Sequence, residues 1–287
     1  MDSLNPGYLY LALHVAGSVS FGHVMKWALR RNCSLVAVGA ANYVVAASLS
    51  LLLALVGHGA GLTFRGMAAG ILGGLSYVVS YYFYYQSIRL TGVSISTAVI
   101  RLSVLPAVAA SIAVWGERPG THQVAGILLV LAALPLLSQQ PGDKAANLAG
   151  PVWGWLLALF ATTSGGSLAA KLFQEGGTPL AKPFLLAVWF GTAAVVALAA
   201  LRAQRLRPSR HDLPLGLLLG SVNVVGNFAL LAALEHLPGA IVFPVASAGG
   251  VMLVVVTSAA LWGERLSRLA LAGVALAVPA LALMNLP

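Results

Sequence analysis

An arginine set among apolar residues is the first feature of this sequence that could do chemistry. The stretch from Gly92 to Trp115 is apolar apart from a few hydroxyls, and Arg101 lies about nine residues into it. At a helical rise of about 1.5 Å per residue, that depth is roughly 13 Å, close to the middle of a bilayer. Burying a guanidinium there costs at least about 3 kcal/mol, so it must face protein or water and not lipid. Ser94 and Thr97, seven and four residues earlier, fall on the same helical stripe. A planar guanidinium flanked by hydroxyls suits a carboxylate-bearing, phosphorylated or zwitterionic solute. The alternative is a structural arginine satisfied by the carbonyls of neighbouring helices.

Other polar residues interrupt apolar runs in the same way. The first run carries His14, His23 and Lys26. At 100° per residue His14 and His23 point to opposite faces, whereas His23 and Lys26 are about 60° apart and form the natural pair. His14 can bind solute, relay protons or simply pack with a hydrogen bond. Lys26 and Lys171 can contact an anion or snorkel to the interface. Tyr77, Tyr81 and Tyr84 or Tyr85 recur at helical spacing, as ring surfaces for a solute or as an interfacial belt. Ser80 lies among them, and Asn223 and Asn227 form an i, i+4 amide pair that either lines a cavity or glues helices together. Ser247 sits in Pro244 to Gly250, a segment expected to bend.

The elements that must hold these groups are membrane spans. The chain has 287 residues, of which 59% are hydrophobic and 8% charged, and its mean hydropathy is +0.91. No soluble domain has that balance. The net charge of +9 belongs to short loops, so nucleic acid is not an expected partner. One cysteine, Cys33, excludes an internal disulfide or a multi-cysteine metal site. No nucleotide-cradling loop is present, and neither a metal nor an organic cofactor is expected. An intramembrane enzyme is disfavoured, because His14 and His23 oppose each other with no carboxylate at reachable spacing. No Asp or Glu lies inside an apolar run, which disfavours exporters that exchange lipophilic cations for protons at a buried carboxylate.

Apolar runs occur at about 7–29, 35–57, 67–87, 92–115 and 122–138, then at about 151–173, 183–201, 213–234, 239–262 and 268–286. The two sets are copies. Gly92 to Trp115-Gly116-Glu117-Arg118 matches Gly239 to Trp262-Gly263-Glu264-Arg265 at a constant offset of 147, which also superposes Ala125-Gly126 on Ala272-Gly273. Five spans per copy is an odd number, so the second must insert upside down, an arrangement that places a solute site near the midplane. The expected fold is therefore an all-α integral membrane protein of ten transmembrane helices, in two inverted repeats over residues 1–145 and 146–287. The Gly-Glu-Arg turns are expected to brace loops.

A lysine in the first span of each half (Lys26, Lys171) and Trp-Gly-Glu-Arg followed by Ala-Gly, present twice, resemble the drug/metabolite transporter superfamily, specifically its EamA-type ten-helix members. The resemblance covers essentially the whole chain. It implies a carrier working by alternating access, with a cavity lined by the first four helices of each half. Expected partners are a small-molecule solute, the lipid bilayer and a coupling ion or counter-substrate, in a monomer or weak dimer. Amino acids or related organic anions rank first as solute; a flippase or carrier for a phosphorylated sugar or lipid-linked anion, and a non-transporting scaffold, are the alternatives.

The expected location is the cell's inner membrane, with both termini on one side. Loops after the odd-numbered spans carry ten basic residues, including Arg30, Arg31, Arg202, Arg205 and Arg210, whereas the opposite loops carry Arg65, Arg118 and Lys182. The positive-inside rule puts the ten-charge side in the cytosol and the termini outside. The resemblance implies cytosolic termini.

Overall fold

A computed structural model describes residues 5–31, 33–57, 61–91, 93–139, 152–206, 208–263 and 267–284. Among these the chain is helical with short turns and no strand. Lipid offers backbone N–H and C=O groups no partner, so a spanning segment must satisfy them within itself. The helices are α1 (Pro6–Arg30), α2 (Leu35–Val56), α3 (Phe64–Thr91), α4 (Val93–Leu102), α5 (Leu105–Ala113), α6 (Thr121–Leu137), α7 (Val152–Gly176), α8 (Lys182–Ala203), α9 (Asp212–His236), α10 (Gly239–Trp262) and α11 (Arg268–Met284). Seven stretches are long and apolar enough to cross a membrane, one of them being Ile95–Ala113 across α4 and α5. The apolar helices α6 and α11 are shorter, at 17 residues each.

The helices follow the apolar runs, with one correction. Gly92 to Trp115 is not one helix, because Ser103 and Val104 form a turn between α4 and α5. Pro106 explains the break: it has no N–H for the carbonyl four residues back, and its ring crowds that carbonyl. The Ser103 hydroxyl donates to the Ile100 carbonyl at 2.5 Å, serving another carbonyl at the end of α4. Unlike α4 and α5, α10 is continuous through Pro244, where bending stays an expectation of the sequence. Pro244 lies in the second turn, so only a first-turn carbonyl loses its donor.

The helices divide into two compact units that interleave the sequence halves. The first holds α1, α2, α8, α9, the part of α3 up to Val78 and the part of α7 from Ala169. Within it α2 packs on α8 and α9, and α1 on α9. The second holds α4, α5, α6, α10, α11 and the remaining parts of α3 and α7, with α6 packed on α11 and α10 on both α5 and α6.

Glycine makes these contacts close. In the second unit, a Cβ on Gly126 would stand 2.4 Å from Met284, and one on Gly273 would stand 2.7 Å from the Leu137 backbone nitrogen. Gly126 and Leu137 become Gly273 and Met284 on adding the same offset of 147, so each pair joins one residue to the copy of the other. The first unit repeats the pattern. A Cβ on Gly73 would lie 2.3 Å from the Trp189 ring and one on Gly74 2.7 Å from Thr192, while Gly220 meets Asn42 and Val45 at 2.8 Å. Asn42, Val45 and Gly73 are again 147 residues before Trp189, Thr192 and Gly220.

Adding a methyl group at Gly73 or Gly273 overpacks a helix crossing and is expected to cost about 1–3 kcal/mol. Gly39, within α2, has no atom within 4 Å of its Cβ position. Gly39→Ala is therefore expected to be neutral or stabilising by up to about 1 kcal/mol. Thermal unfolding in detergent should show Gly73→Ala and Gly273→Ala melting below the wild type and Gly39→Ala not; equal melting temperatures would refute the crossings.

Candidate functional site

Some of the polar residues singled out above meet within each unit. In the first unit, the Tyr77 hydroxyl donates to Asn227 Oδ1 at 2.6 Å, Asn227 Nδ2 to the Asn223 carbonyl at 2.9 Å, and Asn223 Nδ2 to Asn42 Oδ1 at 2.8 Å. The i, i+4 spacing of the two asparagines makes the middle bond possible, since it puts the second amide over the first residue's turn. The Tyr77 ring meets Trp189 edge to face, with centroids 5.2 Å apart. Trp189 is 3% exposed, and its Nε1 has no hydrogen-bond partner among the described residues. The Gly73 and Gly74 notch is what lets an indole lie against α3.

His14 reaches α9 as well, its Nδ1 lying 2.8 Å from the Gly226 carbonyl oxygen. One turn further along α1, Gly17 brings the two backbones together, its Cβ position being 3.2 Å from Gly226 Cα. His23 and Lys26 are half-buried farther along α1. Lys171 is 2% exposed and donates to Gln174 at 2.6 Å and Glu175 at 2.5 Å, within its own last turns of α7. Lys182 pairs with Glu235 at 2.6 Å. A buried ammonium is tolerated only when paired in this way.

In the second unit, Arg101 closes the last turn of α4 with its Nε buried and without a hydrogen-bond partner among the described residues. Thr97, one turn earlier, lies 3.3 Å from the Tyr84 hydroxyl of α3. Ser247 of α10 donates to the Arg101 main-chain carbonyl at 3.3 Å, supporting a carbonyl at a helix end. Ser80 and Tyr81 are half-buried in this unit, so the tyrosine series divides, with Tyr77 in the first unit. The side chain of Ser94 lies outside the described residues.

The Trp-Gly-Glu-Arg motif proves to be a clamp at Glu117. Gly116 turns the chain with φ +69°, and Glu117 N donates to the Ser111 carbonyl at 3.0 Å. The Glu117 carboxylate then accepts from the first two N–H groups of α10, Gly239 N at 2.8 Å and Ala240 N at 2.7 Å. Unsatisfied N–H groups and the positive end of the helix dipole make this a favoured seat for an anion. Its copy at Glu264 and Arg265 lies outside the described residues.

Asn42 and Trp189 were not among the residues read as functional from sequence. Two signals could have found them. Asn42 is a lone amide inside a strongly apolar span, and Trp189 occupies its position in the second copy, 147 residues on. Among the described residues no group of His, Cys, Asp and Glu could hold a metal ion.

Removing the Tyr77 hydroxyl strands a buried acceptor, so Tyr77→Phe is expected to cost about 1–3 kcal/mol. The loss should shrink when Asn227→Leu is already present, as a double-mutant thermal-unfolding cycle measures. Additive losses would show that the two side chains do not interact.

Comparison with known proteins agrees with this architecture. No curated protein matches the chain. Among solved structures 29 chains match, one of them titled "Crystal structure of protein", with a TM-score of 0.81 and 16% identity over 99% of this chain and 97% of that one. At that identity the likeness concerns the fold alone. Residues 5–139 match the profile of the EamA-like transporter family. Several membrane-crossing helices and that match make this a multi-pass membrane protein in contact with the bilayer, whose residues 5–139 are similar to the EamA-like transporter family of the drug/metabolite transporter superfamily.

Proposed function

We propose that the chain is a secondary transporter that moves a small polar or anionic metabolite by alternating access, with amino acids and related organic solutes ranked first. The observation that carries this reading is the buried Arg101 Nε without a hydrogen-bond partner among the described residues. A guanidinium in an apolar span needs an oxyanion or water to complete it, and a carboxylate does so with two parallel hydrogen bonds. In the second unit Arg101 is the proposed anchor, with Thr97, Ser80, Tyr81 and Ser247, and Ser94 by its place in the sequence, as further proposed solute contacts. In the first unit, Tyr77, Asn227 and Asn223 are the proposed readers of neutral hydrogen-bonding groups. His23, Lys26 and Lys171 are secondary contacts for anionic charge.

The proposal includes ten spans in two five-helix repeats of opposite insertion, residues 1–145 and 146–287. Paired contacts at the 147 offset support it, because a two-fold relation makes residue i meet the copy of j wherever the copy of i meets j.

Uptake of a radiolabelled amino-acid mixture into proteoliposomes tests the anchor. Arg101→Ala is expected to abolish uptake while the purified protein stays folded and monodisperse; retained uptake would remove Arg101 from the site.

The proposed orientation, from the charge bias, places the end of α1 and the start of α2 in the cytosol of a cell with this chain in its inner membrane. Cys33 reports on it, being a free thiol between the two helices. Burial and the nearby Asp212 carboxylate push that thiol up, so less of it is thiolate at neutral pH. Labelling by a membrane-impermeant maleimide should need permeabilised cells, speed up as pH rises above neutral, and be faster in Asp212→Asn. Labelling of intact cells would reverse the orientation.

A further inference from the structure

We propose that His14 is the proton-binding site that couples solute movement to a proton gradient, an inference that rests on the transporter reading above. Its Nδ1 stands 2.8 Å from the main-chain carbonyl oxygen of Gly226. A carbonyl oxygen can only accept, so Nδ1 carries a hydrogen whether the ring is neutral or charged. Nε2 is therefore the atom that gains or loses the proton. Protonation there leaves the bond to α9 in place and makes it charge-assisted, hence shorter and stronger. The bond lies where α1 and α9 come close through Gly17 and Gly226. A change of charge on His14 thus acts directly on the α1 to α9 crossing.

The groups around it leave this role to the imidazole. Along α9, Asp212, Glu235 and His236 lie at the two ends, roughly 14–21 Å from Gly226 at about 1.5 Å per residue. From α2 the titratable side chain is Tyr43. On α1 itself Tyr10 stacks on His236 at 5.8 Å, and His23, Lys26 and Arg30 lie toward the far end, His23 on the opposite face. The described carboxylates are engaged at helix ends: Glu175 with Lys171, Glu235 with Lys182, Asp212 with the Ser34 and Ser209 N–H groups, and Glu117 with α10. Imidazole is the side chain whose ordinary range of charge change spans pH 5 to 8.

Two measurements test the assignment. In protein carrying 15N-histidine, with His14→Gln as the assignment control, the neutral His14 ring should hold its hydrogen on Nδ1; a hydrogen on Nε2 overturns the proposal. In proteoliposomes supplied with the radiolabelled amino-acid mixture, an imposed pH gradient should raise wild-type flux several-fold over flux at equal pH. His14→Asn keeps an N–H donor near the Nδ1 position but has no titrating nitrogen, and it should bring that ratio to one. A ratio above one in His14→Asn means that His14 is only a packing residue. Wild-type flux that ignores the gradient overturns proton coupling and leaves the transporter reading standing. Absence of wild-type flux in both conditions defeats the transporter reading and the coupling with it, while the nitrogen spectrum still decides where the proton sits.

Discussion

The structure depends on how closely helix backbones can approach once each has satisfied its own hydrogen bonds. Between apolar helices in lipid there is little hydrophobic gain left to drive association, so van der Waals contact and a few interhelical hydrogen bonds must hold them. Glycine at the crossings makes both possible. The Gly73 and Gly74 notch admits the Trp189 ring, Gly220 admits Asn42, and Gly126 and Gly273 bring α6 and α11 together. Without those notches the Asn223 to Asn42 bond of 2.8 Å would have no geometry in which to form.

The same economy governs the charges. Lys171 and Lys182 are buried yet paired with carboxylates, and Glu117 and Asp212 spend their oxygens on backbone N–H groups at helix starts. These four groups hold the helix ends. Hydroxyls inside spans bond back to their own helix, as Thr162 does to the Ala158 carbonyl and Ser221 to the Leu217 carbonyl. Against that background the groups left with a buried, unmatched donor stand out. Arg101 Nε and Trp189 Nε1 are the nitrogen donors in that position among the described residues. On the proposed transporter reading, the Arg101 donor is the one that a solute or water completes.

The break between α4 and α5 bears on this directly. By ending α4 at Leu102, Pro106 leaves Arg101 in a last helical turn, where Ser247 supports its carbonyl. An unbroken helix would have tied that carbonyl to the N–H four residues on. The second copy has Leu253 where the first has Pro106, and α10 runs unbroken. The two copies share a crossing pattern but not a helix geometry.

Hydropathy and the repeat are one-dimensional properties, so the sequence by itself determined the membrane class, the apolar helical segments and the resemblance to a transporter family. The bracing role of Gly-Glu-Arg was legible too, because a glycine that needs positive φ followed by an acid marks a helix end. The amide partners were not. Tyr77 meets Asn227, and Asn42 meets Asn223, across 150 and 181 residues of chain. An i, i+4 pattern states which face of a helix a residue shares, not which helix that face will meet. The tertiary structure alone decided those pairings, the division of Tyr77 from Tyr81 between units, and the approach of His14 Nδ1 to the Gly226 carbonyl, because each depends on the rotation of one helix against another.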